Sequence, residues 1–180
     1  MSVSGNWNDN AYKVVSKALN EEYWFPIHIT SKRGFRVFDD SRQGSSEFKL
    51  PKRATKGSAG YDFFNNTGED IIIKAHSSTK IPTNVSSFML YGEVLLIYPR
   101  SSLGIKYTVR ILNTIPVIDS DYSGEIIIAL QNDSSEDVVI HKGSAFCQGV
   151  FLNHLLASDD DTSEERVQGT SGGIGSTGKI

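Results

Sequence analysis

The stretch Val117-Ile118-Asp119-Ser120-Asp121-Tyr122-Ser123-Gly124-Glu125 decides how the rest of the chain is interpreted. It places acidic residues, an aromatic ring and a glycine in a turn between two apolar runs that are typical of β-strands. A turn of this kind can hold a carboxylate and a ring at fixed positions beside a small ligand. The stretch therefore predicts a strand-rich fold with a ligand site at this connection.

Strand-like segments recur on both sides of this turn. They are short, rich in β-branched and aromatic residues, and separated by polar turn residues. The predicted strands are 26–30, 34–38, 70–75, 78–81, 84–90, 93–98, 107–113, 125–131, 136–140 and 146–152. Many short strands with little helix between them predict an all-β fold, a jelly-roll-like antiparallel β-barrel or sandwich. We find no repeated sequence in the chain.

The amino-terminal segment has a different pattern. Its apolar residues recur at helical spacing: Ala11, Val14, Val15, Ala18 and Leu19. This spacing predicts a helix over residues 9–22, which could cover an exposed sheet edge or dock a protein partner. We expect an N-terminal helical extension over 1–45, a β core over 46–156, and an acidic linker with a flexible Gly-rich C-terminal tail over 157–180. The tail could be terminal disorder or a lid that orders on a ligand.

Composition narrows the class of protein. The chain has 180 residues, which is typical of one domain, and its net charge of −3 gives no basic surface for nucleic acid. No apolar run approaches the ~20 residues of a membrane span, and the first residues lack a signal-peptide pattern. Cys147 is the single cysteine, which excludes an internal disulfide. We expect a soluble, cytoplasmic protein that binds neither nucleic acid nor membrane.

Three familiar motifs are incomplete. Gly173–Lys179 approaches a P-loop, but Ile180 replaces the required Ser or Thr. Asp119–Gly124 resembles the start of a calcium loop, but Leu130 stands where that loop has Glu. The four histidines lack metal-ligand spacing. The remaining chemistry predicts an anion site without a metal cage built by the protein.

Two groups of residues carry that prediction. Arg100 offers a planar fork for phosphate oxygens, and Ser101 and Ser102 add donors at a turn, although an ordinary surface turn is an open alternative. Asp119 could act as a base for water or could cap its turn. Tyr122 could stack on a ligand ring or pack in the core.

Two amide side chains have roles that the sequence leaves open. Asn113 can offer an acceptor and a donor to a base edge. Gln148 lies on an apolar strand, where its amide is either hydrogen-bonded structure or a ligand contact.

Five segments in this order resemble the motifs of the trimeric, all-β dUTP diphosphatases (dUTPases). They are Ser58–Phe63, Pro99–Gly104, Asn113–Gly124, Lys142-Gly143 with Gln148, and Gly172–Gly178. The resemblance covers about residues 46–180. It implies Mg²⁺-dependent hydrolysis of dUTP to dUMP and pyrophosphate, which supplies dUMP and limits uracil incorporation into DNA.

The resemblance also implies roles for single residues. Asp119 would deprotonate the water that attacks the α-phosphorus, and Tyr122 would pack under the deoxyribose and reject a ribose. The base and sugar would also contact Asn113, Val117, Ile118 and Ile174. The phosphates would be held by Arg100, Ser101, Ser102, Gln148, Arg166, Gly175, Ser176 and Thr177.

The family further implies a homotrimer whose shared sites each use three subunits. Mg²⁺ would sit on the triphosphate and water rather than on direct protein ligands, with Asp62 supporting the site. The Gly-rich tail would close over the nucleotide.

Four positions depart from the family pattern. Ala145 replaces the usual fourth-motif Arg, and Pro116 replaces a common Gly on the uracil hairpin. The fifth-motif Arg is displaced to Arg166, and Ile174 stands where Phe often stacks on uracil.

Two other functions stay open. A related dCTP deaminase would need a Glu where this chain has Ala129. A regulatory protein with the dUTPase fold could bind a protein partner through its N-terminal extension, with weak or no catalysis.

Overall fold

The computed structural model describes residues 2–6, 11–16, 21–26, 33–42 and 48–158. The chain divides into two compact units, Met1–Lys32 and Arg33–Ile180. Within the described residues, no helix has the length and apolar character needed to cross a membrane.

The first unit contains a three-stranded antiparallel sheet. Its strands β1 (Ser2–Asn6), β2 (Ala11–Ser16) and β3 (Glu21–Pro26) pair in sequence order. The helix predicted over residues 9–22 is therefore wrong for the described residues. The apolar spacing was compatible with a helix, but Val14-Val15 and the run Tyr23-Trp24-Phe25 are β-branched and aromatic, and such residues favour strands.

In the described part of the second unit, the regular secondary structure is mainly antiparallel β-strand. The strands are β4 (Gly34–Val37), β5 (Tyr61–Phe64), β6 (Ile71–Ile73), β7 (Ser78–Pro82), β8 (Val85–Phe88), β9 (Glu93–Pro99), β10 (Val109–Ile111), β11 (Val117–Ile118), β12 (Ile127–Asn132), β13 (Val138–Ile140) and β14 (Ala145–Asn153). They form sheets of order β11-β9-β14-β5, β10-β12-β7, β13-β6 and β4-β8. The prediction of an antiparallel β fold is confirmed.

Two short helices interrupt the strands between residues 33 and 158, as far as these residues are described. Asp40–Arg42 is one turn of 3₁₀ helix, and α1 (Ser101–Tyr107) follows β9. The Arg-Ser-Ser turn predicted at residues 100–102 is the start of α1. Buried Leu103 anchors this helix, and Thr108 ends it in the left-handed conformation, with φ of 54°.

The core lies between the sheets and is mainly branched aliphatic. Its fully buried large side chains include Phe63, Leu95, Ile97, Ile128 and Phe146. Alternate residues of β9 and β12 enter this core, as expected for strands with one buried face. Cys147, on β14, is also fully buried.

Two turns of the second unit share one hydrogen-bond pattern, although no repeated sequence was found in the chain. The stretch Asn65-Asn66-Thr67-Gly68-Glu69-Asp70 follows β5, and the stretch Asn132-Asp133-Ser134-Ser135-Glu136-Asp137 begins at the last residue of β12. Asn65 Oδ1 accepts the Thr67 N–H at 3.1 Å, and Asn132 Oδ1 accepts the Ser134 N–H at 3.0 Å. Each Asn amide also donates to a carbonyl of the strand that follows the other stretch: Asn65 to Ile140 of β13 and Asn132 to Ile73 of β6, both at 3.0 Å.

The carboxylates that follow complete the correspondence. Asp70 accepts the backbone N–H of Lys142 at 2.7 Å, and Asp137 accepts that of Ala75 at 3.0 Å. The strands that follow the two stretches, β6 and β13, pair with each other, and the first residue of each faces the last residue of the other. The two stretches and the strands that follow them thus repeat one hydrogen-bond pattern, and the stretches share Asn, Glu and Asp at three of six positions.

The correspondence ends at one β-bulge. β12 pairs with β7 without interruption, whereas the pairing of β14 with β5 shifts register between Ala145 and Cys147. Phe146 is the inserted residue, and its carbonyl accepts the Arg100 N–H at 3.3 Å. The bulge therefore joins β14 to the residue that follows β9.

Candidate functional site

Arg100, Asp62 and Gln148 meet at one end of the four-stranded sheet. Asp62 on β5 and Tyr98 on β9 are the register partners of Gln148, which lies between them on β14. Arg100 follows β9, and its Nε lies 3.5 Å from Asp62 Oδ1. Its Nη1 donates to the Ala145 carbonyl at 3.2 Å. These contacts orient a guanidinium that is still 42% exposed and has further donors for an anion.

Gln148 fits beside Arg100 because position 60 has no side chain. A Cβ built on Gly60 would lie 2.2 Å from Gln148 Oε1. The Gln148 amide nitrogen approaches the Pro99 carbonyl at 3.5 Å, which is long for a hydrogen bond. The amide is therefore held in place more by shape than by a strong partner.

Ser101 and Ser102 form the exposed first turn of α1, beside Arg100. The N–H groups of Leu103 and Gly104 donate to the Arg100 carbonyl at 2.9 and 3.4 Å. The first amides of a helix, here those of Ser101 and Ser102, have no acceptor within that helix, so they add donors next to the guanidinium. We call Asp62, Arg100, Ser101, Ser102 and Gln148 the phosphate end, after the role that the family resemblance implies for this cluster.

Asp119 and Tyr122 lie at the other end of the same sheet. β11 pairs with β9 so that Val117 faces Leu96 and Ile118 faces Leu95, and Asp119 follows directly. The Tyr122 N–H donates to the Asp119 carbonyl at 3.1 Å, which closes the turn between them. Exposed Asp119 and the half-buried Tyr122 ring are thus held by one short turn.

The Tyr122 ring folds back over its own loop. Its hydroxyl donates to the Glu125 carbonyl at 2.8 Å. A Cβ built on Gly124 would lie 2.6 Å from that hydroxyl oxygen and 2.7 Å from the ring carbon that bears it. The glycine therefore allows the ring to lie against the backbone.

Asn113 lies in the exposed connection between β10 and β11. Thr114, beside it, has a φ of 68°, a left-handed turn conformation. Pro116 has no N–H, but its carbonyl accepts the Ile97 N–H at 3.1 Å, so the connection is fastened to β9. We call Asn113, Val117, Ile118, Asp119 and Tyr122 the nucleoside end, after the role that the family resemblance implies for them.

Glu93 anchors the nucleoside end of β9. Its carboxylate accepts bonds from Arg33 Nε at 2.9 and 3.0 Å, from the Arg33 Nη2, and from the Leu90 N–H at 3.1 Å. The bond from Arg33 is the main cause that lowers the pKa of Glu93, and the same bond raises the pKa of Arg33. Glu93 is only 5% exposed, so this ion pair fixes the start of the strand.

The two ends are far apart in one chain. Ile118 faces Leu95, and Arg100 lies five residues further along. At about 3.3 Å per residue this separates Asp119 from Arg100 by roughly 17 Å or more. The predicted site residues thus form two clusters, while Arg166, Ile174, Gly175, Ser176 and Thr177 lie outside the described residues.

Sequence reasoning assigned no role to three residues that shape these clusters. Gly60 makes room for Gln148, Gly124 makes room for Tyr122, and the Phe146 bulge aligns β14 with Arg100. Gly60 precedes β5, which was not among the predicted strands, so no local strand pattern gave a signal of its close approach to Gln148. The bulge also left no signal, because it depends on the register of distant strands.

Among the described residues, no three His, Cys, Asp or Glu side chains form a metal cluster. Asp62 contributes a single carboxylate, whose side chain is 18% exposed. One carboxylate beside a guanidinium fits a divalent metal ion only if most of its ligands are oxygens that the protein does not supply.

Comparison with known proteins identifies the family. The sequence model described as dUTPase matches residues 46–178. The deoxyuridine 5'-triphosphate nucleotidohydrolase of Lactococcus lactis is 36% identical over 152 residues, covering 81% of this chain and 97% of that protein. The enzyme of the same name from Rickettsia canadensis is 40% identical over 131 residues, covering 72% and 88%. The crystal structure of dUTPase from Streptococcus mutans superposes with a TM-score of 0.61 at 34% identity, covering 69% of this chain and 98% of that one. The chain belongs to the dUTPase family.

Proposed function

We propose how this dUTPase hydrolyses dUTP to dUMP and pyrophosphate. The phosphate end of one copy binds the triphosphate, and the nucleoside end of another copy binds the base and sugar and supplies the base Asp119. The observation that carries this proposal is the position of the two clusters at opposite ends of β9.

The phosphate end neutralises charge and aligns the leaving group. Arg100 is held against Asp62 and the Ala145 carbonyl, so its remaining donors are pre-oriented for phosphate oxygens. Ser101, Ser102 and Gln148 add neutral donors around it. Fixed donors of this kind stabilise the charge that builds on the phosphates during in-line attack.

The nucleoside end supplies the nucleophile. Asp119 accepts the proton of a water molecule as that water attacks the α-phosphorus, and the bond to the bridging oxygen breaks to release pyrophosphate. Asn113 and the backbone of its turn read the uracil edge. Val117 and Ile118 flank the nucleoside, and the Tyr122 ring packs under the deoxyribose and excludes a 2′-hydroxyl.

A site of this kind needs more than one copy of the chain. A triphosphate nucleotide cannot bridge Arg100 and Asp119 across the sheet of a single copy while water attacks at one phosphorus. In a closed ring, two different surfaces of neighbouring copies meet, so the phosphate end of one copy can lie beside the nucleoside end of the next. A homotrimer with three shared sites is such a ring. The tail residues Arg166, Ile174, Gly175, Ser176 and Thr177 would complete each site by closing over the nucleotide.

We infer that Mg²⁺ is the metal of this site, with Asp62 positioned to hold its water shell. The ion would supply charge neutralisation on the triphosphate. The protein residues bind and orient the nucleotide, and Asp119 moves the proton.

Pyrophosphate release with Mg²⁺ from dUTP, dTTP, dCTP and UTP tests the proposal, with Asp119→Asn as the control. We expect rapid release from dUTP alone and a loss of roughly 10²–10⁴-fold in the variant, the usual contribution of a general base. Full turnover in the variant would remove Asp119 from the mechanism. A folded trimer that releases nothing would favour a regulatory role for the fold.

A further inference from the structure

The loop that carries Tyr122 is fastened to the connection between β7 and β8. The Ile126 N–H donates to the Val85 carbonyl at 2.8 Å, and the Thr83 hydroxyl donates to the Ile126 carbonyl at 2.7 Å. The Asn84 N–H donates to Glu125 Oε1 at 2.7 Å. Thr83 is 1% exposed and Asn84 is 5% exposed, so water competes little for these bonds.

Asn84 has an unusual backbone conformation that aims its N–H at Glu125. Its φ is 55°, in the left-handed region that asparagine tolerates better than most residues. Its side chain exchanges two bonds with the backbone of Asp39, from Nδ2 to the carbonyl at 3.1 Å and from the Asp39 N–H to Oδ1 at 3.0 Å. These bonds hold Asn84 in the conformation that serves Glu125.

Glu125 connects this anchor to the ring. Its carboxylate accepts a hydrogen bond from the Asn84 N–H, and its backbone carbonyl accepts one from the Tyr122 hydroxyl at 2.8 Å. Gly124 lies between them with no room for a Cβ beneath the ring. A shift of the Glu125 peptide would therefore move the hydroxyl that it holds, and the ring with it.

We propose that Glu125 and Asn84 are positioning residues that set the selectivity of this enzyme for deoxyribose over ribose. The proposal rests on the proposed contact between Tyr122 and the sugar. A ring excludes a hydroxyl group only if it cannot retreat, and a displacement of about 1 Å is enough to change how a substrate fits. The anchor prevents that retreat from a position outside the substrate site.

The test compares kcat/KM for dUTP and for UTP in Glu125→Ala and Glu125→Gln. Alanine removes the acceptor of the Asn84 N–H, whereas glutamine keeps an oxygen in the same place. We expect the dUTP-to-UTP ratio to fall about tenfold in the alanine variant, which is typical of a lost hydrogen bond to a charged group, and less with glutamine. An unchanged ratio in a folded Glu125→Ala trimer would overturn the proposal.

A second pair of variants tests the backbone of Asn84. Asn84→Gly keeps a residue that accepts a positive φ, and Asn84→Ala strains it, while both lose the bonds to Asp39. We expect the ratio to fall further with alanine than with glycine. Equal ratios in the two variants would contradict a role for the direction of the N–H, even if Glu125→Ala failed to fold.

Two controls distinguish a failure of the positioning role from a failure of the proposed sugar contact. Asp137→Ala removes another carboxylate that accepts a backbone N–H, from Ala75, and should leave the ratio unchanged. Tyr122→Ala tests the sugar contact itself. A ratio that falls in Tyr122→Ala but not in Glu125→Ala rejects the positioning role, whereas a ratio that holds in both rejects the proposed sugar contact.

Discussion

The two ends of β9 are built in different ways. At the phosphate end, β5 and β14 bring Asp62 and Gln148 beside Arg100 across long distances in sequence. At the nucleoside end, Asp119 and Tyr122 belong to one turn, whose own hydrogen bonds set their spacing. The first arrangement depends on strand register and the second on local geometry. Damage to one end should therefore leave the other intact.

The largest changes in turnover should come from variants that each disable one end, and mixing the two variants should restore part of the lost activity. Arg100→Ala and Asp119→Asn alone should each lower turnover of dUTP by roughly 10²–10⁴-fold. A mixed assembly of the two variants should regain roughly a quarter of the wild-type activity, since each site draws its two ends at random from both pools.

Pyrophosphate release after co-expression or joint refolding of the two variants measures this recovery. Each variant refolded alone is the control. Mixed assemblies that exchange subunits but stay inactive would show that both ends act within one copy.

A methyl group at Gly60 should disturb the phosphate end alone. Gly60→Ala places a Cβ 2.2 Å from Gln148 Oε1, so the amide must leave its present position. We expect KM for dUTP to rise about tenfold, the cost of one lost hydrogen bond to a charged group, with the dUTP-to-UTP ratio retained. Gly57→Ala is the matched control, because its Cβ meets nothing within 4 Å. A fall in sugar selectivity in Gly60→Ala would show that the ends are coupled.

A methyl group at Gly124 should lower the dUTP-to-UTP ratio more than it changes KM for dUTP, the reverse of the result expected at Gly60. Gly124→Ala pushes the Tyr122 ring from the backbone, so the dUTP-to-UTP ratio should fall severalfold while KM for dUTP changes less. Steady-state kinetics with both nucleotides measures it. Gly104→Ala meets only the Val109 carbonyl, at 3.9 Å, and should keep the wild-type ratio. A ratio equal to that of wild type in Gly124→Ala would mean that the ring adapts.

The smallest effect on catalysis is expected at Glu93, which supports the nucleoside end without touching substrate. Arg33 lowers the pKa of Glu93, so the stabilising contribution is complete above the ordinary glutamate pKa and is lost as the pH falls through the lowered value. Glu93→Gln should lower the free energy of unfolding at pH 7 by about 1–2 kcal/mol, because Arg33 is partly exposed.

Urea unfolding at pH 7 and at about pH 3 gives the comparison. Wild type should lose more stability than Glu93→Gln on acidification, and turnover at pH 7 should be similar in both. Parallel losses would mean that the ion pair contributes nothing to the acid sensitivity.

Local sequence patterns predicted most of the second unit. Every strand predicted between residues 33 and 156 overlaps an observed strand, because alternation and β-branched residues carry that signal. The pattern failed at residues 9–22, where apolar spacing also suits a strand, and at α1, where a seven-residue segment with Gly104 has little helix propensity.

Sequence patterns singled out the candidate site residues but did not predict which of them lie together. The turn containing Asp119 and Tyr122 is local, so its residues could be recognised together. The meeting of Asp62, Arg100 and Gln148 depends on the pairing of three strands and on the Phe146 bulge. Nothing in the neighbouring sequence encodes such long-range register visibly.

The reactivity of Cys147 can report how often β14 separates from its neighbours in the four-stranded sheet. The thiol is fully buried next to Gln148, and burial raises its pKa. Only the exposed thiolate reacts rapidly with alkylating reagents, so labelling must wait until β14 separates from its neighbours. With a single cysteine in the chain, the labelling rate would time that opening without any engineered probe, and nucleotide bound at the phosphate end should slow it.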